Sequence, residues 1–320
     1  MTEATPTNES YEDLPPICDI DNLTPKVLTF IITLVGLIGN ASVIWFLGFC
    51  MHRNTFYTYI LNLAVADFLY LCFHIADVIH TEVIRIFLHI SIRIHIIIQT
   101  GTNIFYIAGL SMLSAISTER CLSVLWPIWY HCHRPRHPSA VIYALLWALS
   151  MFLSILEAVV CLYLPTNLVL CEKVAFTIAA WLVLLFVVLS VSSLALLGSM
   201  LCGSQKEPIN RLSVTIMLTV LVFLLCGLPF GVFFFLYYRI DYSYHVHYCL
   251  YMVSSILSCV NSSANPIIYF FVGSYRQRVQ RWNLKLVLER ALQDTPDEGE
   301  CGGSLSQGTL EMSGSRVEQG

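Results

Sequence analysis

The sequence predicts an all-α membrane protein: a seven-transmembrane-helix bundle followed by a short amphipathic cytoplasmic helix. Three observations predict it. Apolar residues make up 57% of the 320-residue chain and charged residues 12%, against roughly 45–50% and about 25% in soluble globular proteins. So little charge does not cover a water-soluble surface of this size, which argues against soluble enzymes and soluble binding domains. The apolar residues also gather into seven runs long enough to cross about 30 Å of hydrocarbon as helices, and the basic residues collect beside alternate ends of those runs. A net charge of −4 leaves no basic footprint for nucleic acid.

The runs are 26–49, 57–79, 95–125, 139–163, 174–201, 212–237 and 249–272. The first carries Asn40 after Gly39, and the second carries Asp67 in mid-span. The third has the least defined start, because 79–98 mixes Ile and Leu with His80, Glu82, Arg85, His89, Arg93 and His95. A short outer connection is expected there. The third run closes on Glu119-Arg120, and the fourth holds Trp147 and Glu157. The sixth contains Cys226-Gly227-Leu228-Pro229 and the seventh Asn261-Ser262-Ser263-Ala264-Asn265-Pro266. Both are proline kinks, since proline removes a backbone hydrogen bond. The links at 51–56, 127–138 and 203–211 are brief and polar, so one compact bundle over 26–273 is expected, with no repeat.

Orientation follows from lysine and arginine near the span ends. One side collects Arg53, Arg120, Arg134, Arg136, Lys206, Arg211 and the bases after the seventh run; the other has Lys26, Arg85, Arg93, Lys173 and Arg239. The first side is expected to be cytoplasmic, which puts residues 1–25 outside and the C-terminus inside. Residues 1–25 carry two glycosylation sequons, at Asn8 and Asn22, and no cleaved signal pattern. Of the twelve cysteines, Cys18, Cys161, Cys171 and Cys249 fall at the outer side, where disulfides form. Of the three pairings, Cys161–Cys171 is favoured because it closes the short link between the fourth and fifth runs; Cys18–Cys249 is the second bridge.

Ionisable groups at membrane depth are costly and are functional candidates by default. Asp67, with Asn40, Asn261, Ser262 and Asn265 at comparable depth, forms either a structural hydrogen-bond network or a sodium site, and the two readings are compatible. No other cofactor and no metal site is expected. Arg120 at a span end can reach lipid headgroups, but beside two hinges it suits a bundle that switches by helix movement at its inner face.

Together, Asn40, Asp67, Glu119-Arg120, Trp147, Pro229 and Asn265-Pro266-Ile267-Ile268-Tyr269 resemble the rhodopsin-type G-protein-coupled receptors along the whole chain. The finer similarity is to the X-like branch of the Mas-related receptors. It rests on Ile116-Ser117-Thr118-Glu119-Arg120-Cys121-Leu122, His133-Arg134-Pro135-Arg136, Cys226-Gly227-Leu228-Pro229 and the tail Leu288-Glu289-Arg290-Ala291-Leu292. The resemblance implies a non-enzymatic plasma-membrane receptor that activates heterotrimeric G proteins in itch, pain or mast-cell signalling. It assigns switching to Glu119, Arg120, Gly227, Pro229, Asn265, Pro266 and Tyr269. Most of the wider superfamily has a cysteine about 25 residues before the arginine; here that position is His95. A Cys161–Cys171 bridge would instead leave the outer loop off the mouth, giving a wide, shallow site. Cys121 and Gly227 replace the usual tyrosine and tryptophan, as in the Mas-related branch.

Glu157 lies near the outer boundary of the fourth run, where a carboxylate meets water or a partner such as Lys173. The resemblance makes it the counter-ion for a cationic peptide or amine. The family's second acid, early in the fifth span, is Ala175 here, with Glu172 nearby as a substitute. Asp77 adds a second negative charge to the mouth, and Asn103, Tyr106, Phe230, Phe234 and Tyr238 are candidate polar and aromatic walls. After the bundle, 274–292 reads as an amphipathic helix on membrane lipid. The polar segment 293–320 reads as a disordered tail whose serines suit receptor kinases and arrestin. Competing readings were a retinal protein, which needs a lysine that 249–272 lacks, a transporter, an intramembrane enzyme, and a receptor fold without signalling.

Overall fold

The structure is a computed structural model, and it describes residues 23–50, 55–87, 92–126, 138–163, 168–202, 211–237 and 244–274, together with Leu288. Asn8, Asn22, Cys18, the loop bases Arg53, Arg134, Arg136 and Lys206, the rest of 274–292 and the tail lie outside the described residues.

Seven helices long and apolar enough to cross a membrane run through these residues. α1 is Leu23–Trp45 with a π turn Phe46–Cys50, α2 is Thr55–Phe87, α3 is Ile92–Leu125, and α4 is Pro138–Glu157 with a π turn Ala158–Tyr163. α5 is Leu168–Cys202. α6 joins Arg211–Val222 to Leu228–Tyr237 through a π turn Phe223–Gly227, and α7 is Tyr244–Ser274.

Five boundaries differ from the sequence expectation by three residues or more, one of them the start of α7, at Tyr244 rather than 249. α1 starts at Leu23 rather than 26, since Pro25 is tolerated in a first turn, where its absent N–H has no intrahelical acceptor. α2 runs on to Phe87 rather than stopping at 79: 80–87 mixes polar with apolar residues but contains no glycine or proline to end the helix. α3 begins at Ile92, shortening the outer connection. α5 begins at Leu168 rather than 174; Glu172 and Lys173 lower the local hydropathy without breaking the helix.

α3 is the central helix. It packs against α2, α4 and α5, and 67% of its most apolar stretch is buried, against 28% for α1 at the periphery. Large apolar side chains such as Ile38, Trp45, Leu145, Leu194 and Leu225 point outward, as lipid contact requires. Polar side chains turn inward, where other helices satisfy them.

α1 and α7 approach closely because α1 has no side chain at two positions. A Cβ on Gly36 would overlap Ser263 Oγ, and one on Gly39 would come within 2.8 Å of Pro266 Cβ. The approach lets Ser263 donate to the Ile32 carbonyl at 3.1 Å. It also resolves a deficit. Pro266 has no N–H for the carbonyl of Ser262 four residues earlier, and Asn40 Nδ2 donates to that carbonyl at 3.0 Å. In α6 the carbonyl deprived by Pro229 is that of Leu225, inside the π turn Phe223–Gly227. A wider turn next to a proline is a common way for a helix to absorb the lost bond.

Candidate ligand site and switch region

Glu157 is the last residue of the regular part of α4, immediately before the π turn Ala158–Tyr163. It faces the bundle rather than lipid, at 3% exposure. Asn103 Nδ2, on α3, donates to Glu157 Oε2 at 3.1 Å. The two expected ligand residues therefore meet, and the amide holds the carboxylate against the central helix. Just beyond Glu157, the expected Cys161–Cys171 disulfide ties the π turn of α4 to the start of α5, with a Cα–Cα distance of 5.0 Å. Cys249 is also disulfide-bonded, while its expected partner Cys18 lies outside the described residues. Glu172 follows the bridge on an exposed face of α5, and Ala175 is buried.

Tyr106 and Phe230 come together in a different role from an open wall. Both are buried, and their rings pack edge to face at 4.9 Å. Tyr70 joins them, its ring 6.3 Å from Tyr106. The Tyr106 hydroxyl donates to the Gly227 carbonyl at 2.9 Å, pinning the α6 π turn to α3. A Cβ at Gly227 would meet Phe223 Cδ2 at 2.5 Å and Asn261 Cγ at 3.1 Å, so no tryptophan fits there. The Phe234 side chain and the whole of Tyr238 lie outside the described residues.

Asp77 is not brought to Glu157. It lies on α2, where its Oδ2 accepts the Tyr251 hydroxyl of α7 at 2.7 Å. His95, which stands where the usual tethering cysteine is missing, places Nδ1 3.7 Å from Asp77 Oδ1. It stacks on His80, with ring centroids 5.8 Å apart. One turn deeper, His74 Nε2 and Ser255 Oγ are 2.7 Å apart. Tyr251 and Ser255 were not foreseen; hydroxyls in an apolar run leave no periodic signature, and only the fold shows which acid they serve.

Deeper in the bundle, Asn265 Nδ2 donates to Asp67 Oδ2 at 2.7 Å, with both residues buried. Asn40 reaches the same stretch of α7 through Ser262, and Asn261 lies beside Gly227. The polar residues expected to share a depth thus converge on the proline-kinked half of α7, where Pro266 and Tyr269 are buried too. Near the C-terminal end of α3, Arg120 is only 7% exposed. Tyr59, on α2, donates to Glu119 Oε1 at 3.0 Å. On α4, Trp147 Nε1 donates to Asn62 Oδ1 at 3.0 Å.

The bundle with its inward polar residues defines the class, a seven-helix membrane receptor. The model of the 7 transmembrane receptor (rhodopsin family) matches residues 39–269. Mas-related G-protein coupled receptor member X2 of Rhinopithecus bieti is 54% identical over 321 residues, covering 99% of this chain and 97% of the relative. Member X3 of Homo sapiens is 56% identical and member X1 of Homo sapiens 54%, each over the same shares of the two chains. The chain belongs to the Mas-related G-protein-coupled receptors of the rhodopsin family. It is accordingly a multi-pass plasma-membrane receptor and not an enzyme.

Proposed function

We propose that this receptor binds an extracellular cationic peptide or amine beside Glu157 and activates heterotrimeric G proteins at the opposite face, in itch, pain or mast-cell signalling. The N-terminus is then outside, as the lysine and arginine asymmetry favours. The observation that carries the reading is the Glu157–Asn103 pair, a buried carboxylate turned inward next to a disulfide that fastens the α4 and α5 ends. A carboxylate at this depth is costly, and a ligand cation offsets that cost. Glu172, one residue beyond the bridge, supplies the second negative charge near the same corner.

Switching in this reading runs from the Tyr106–Gly227 contact to the Asn265-Pro266 kink and on to Arg120. The helix-six half of that path has a carbonyl where related folds have an aromatic ring. Asp67, held by Asn265, is the place for a sodium ion, and the tail serves receptor kinases and arrestin. The test is intracellular calcium in cells displaying the receptor, recorded against cationic peptides and amphipathic amines. A charge-assisted hydrogen bond contributes roughly 1.5–3 kcal/mol, so Glu157→Gln is expected to weaken a cationic agonist about ten- to a hundredfold. Unchanged potency at equal surface display contradicts the assignment.

A further inference from the structure

A cavity of about 120 Å³ lies between α1, α2 and α7. None of the residues lining it comes from α3 or α4, where Asn103 and Glu157 meet. Phe30, Val78 and Ile79 border it and are 52%, 38% and 57% exposed. They lie within the membrane-length spans Pro25–Phe49 and Tyr57–Thr81, so the cavity opens sideways towards acyl chains.

Part of its polar wall offers acceptors. The Thr29 hydroxyl donates to the Pro25 carbonyl, the Thr33 hydroxyl to the Thr29 carbonyl and the Tyr251 hydroxyl to Asp77 Oδ2, each at 2.7 Å. Their protons are committed, and what remains is lone pairs. Asp77 lines the same space at 8% exposure, and its Oδ1 accepts no hydrogen bond. His95 Nδ1 is 3.7 Å from Oδ1, within ion-pair reach but beyond hydrogen-bond length. Lys26 also borders the cavity. The Asp77 end of the cavity favours a group with protons to give and positive charge.

We infer that this cavity is a second ligand site, for a long-chain primary amine that arrives from the bilayer. Its ammonium donates to Asp77 and the threonine oxygens, and its alkyl chain leaves past Phe30, Val78 and Ile79. The size is suitable: an apolar cavity of about 150 Å³ admits benzene, so this one takes the head and the first methylenes while the rest of the chain stays in lipid. The site shares no residue with the one proposed at Glu157 and stands without it.

The experiment is saturable binding of radiolabelled dodecylamine to the full-length receptor carrying Glu157→Gln, which removes the counter-ion of the other proposed amine site, in phosphatidylcholine nanodiscs, corrected with empty discs. Unlabelled dodecylamine, dodecanol and dodecanoate serve as competitors. One site per receptor is expected, with dodecanol and dodecanoate competing at least tenfold more weakly, as loss of a charged hydrogen bond implies. Asp77→Asn weakens binding about tenfold. Val78→Trp, which fills the lipid-facing rim without touching the Tyr251 contact, does the same. No saturable binding, effective competition by dodecanoate, or retention by either Asp77→Asn or Val78→Trp overturns the inference.

Discussion

Asn40→Leu removes the amide that serves the carbonyl orphaned by Pro266. Asn40 Nδ2 donates to the Gly36 carbonyl at 2.9 Å and to the Ser262 carbonyl at 3.0 Å, and the side chain is fully buried. The two acceptors do not suffer equally. Gly36 keeps the helical N–H four residues ahead, whereas Ser262 faces a proline there and has no such donor. An interhelical hydrogen bond in a membrane bundle contributes about 0.6 kcal/mol on average and up to about 1.7, and an abandoned buried carbonyl costs about 1–3 kcal/mol. A loss of about 1–2 kcal/mol is expected. Pro266→Ala restores an N–H at 266, so in that background Asn40→Leu costs about 1 kcal/mol less. The assay is the unfolding midpoint of the four purified proteins in a denaturing-detergent titration. Equal costs of Asn40→Leu in the two backgrounds refute the reasoning that Asn40 compensates for the proline.

Two further substitutions test the frame of the site. Gly36→Ala gains about 0.5–1 kcal/mol of helix preference, but its Cβ would overlap Ser263 Oγ and come within 2.7 Å of Leu71 Cδ1. Overpacking costs about 1–3 kcal/mol, so a lower melting temperature is expected, and a higher one would mean that α1 and α7 do not approach this closely. Replacing Cys161 and Cys171 together by alanine opens a bridge spanning a sequence separation of 10. It is expected to cost about 2–4 kcal/mol, read as a lower melting temperature and a weaker cationic agonist at equal display. Identical melting of the pair variant and the parent contradicts that role.

Much of this arrangement is legible in the residues themselves. Seven apolar runs have the length of a span, charge asymmetry separates their ends, and Asp67, Asn265 and Asn40 are too costly in lipid to face outward. Their convergence followed from depth alone. The boundaries were less legible where polar residues sit on a helix without breaking it, as at His80–Phe87 in α2 and at Glu172 and Lys173 in α5. Helical phase was the larger gap. Depth placed Asp77 and Glu157 at one mouth, but the faces of α2 and α4 turn them to different neighbours, Tyr251 and Asn103. Tyr106 reads in the sequence as a candidate wall for ligand contact; its bond goes to a backbone carbonyl, which no side-chain pattern announces. The closeness of α1 and α7 at Gly36 and Gly39 likewise depends on how two helices cross, and glycine in an apolar run does not by itself reveal its partner.

The central claim is that Glu157 reads the charge of a ligand and that the bundle passes the event to a G protein. The direct measurement is agonist-stimulated nucleotide exchange on a purified heterotrimer, with reconstituted receptor and a matched pair of ligands, a cationic amine and its neutral isostere. The parent is expected to prefer the cation about ten- to a hundredfold, as a charge-assisted hydrogen bond of roughly 1.5–3 kcal/mol implies, and Glu157→Gln is expected to respond to both ligands alike. The same preference in parent and variant, with exchange intact, would contradict the account.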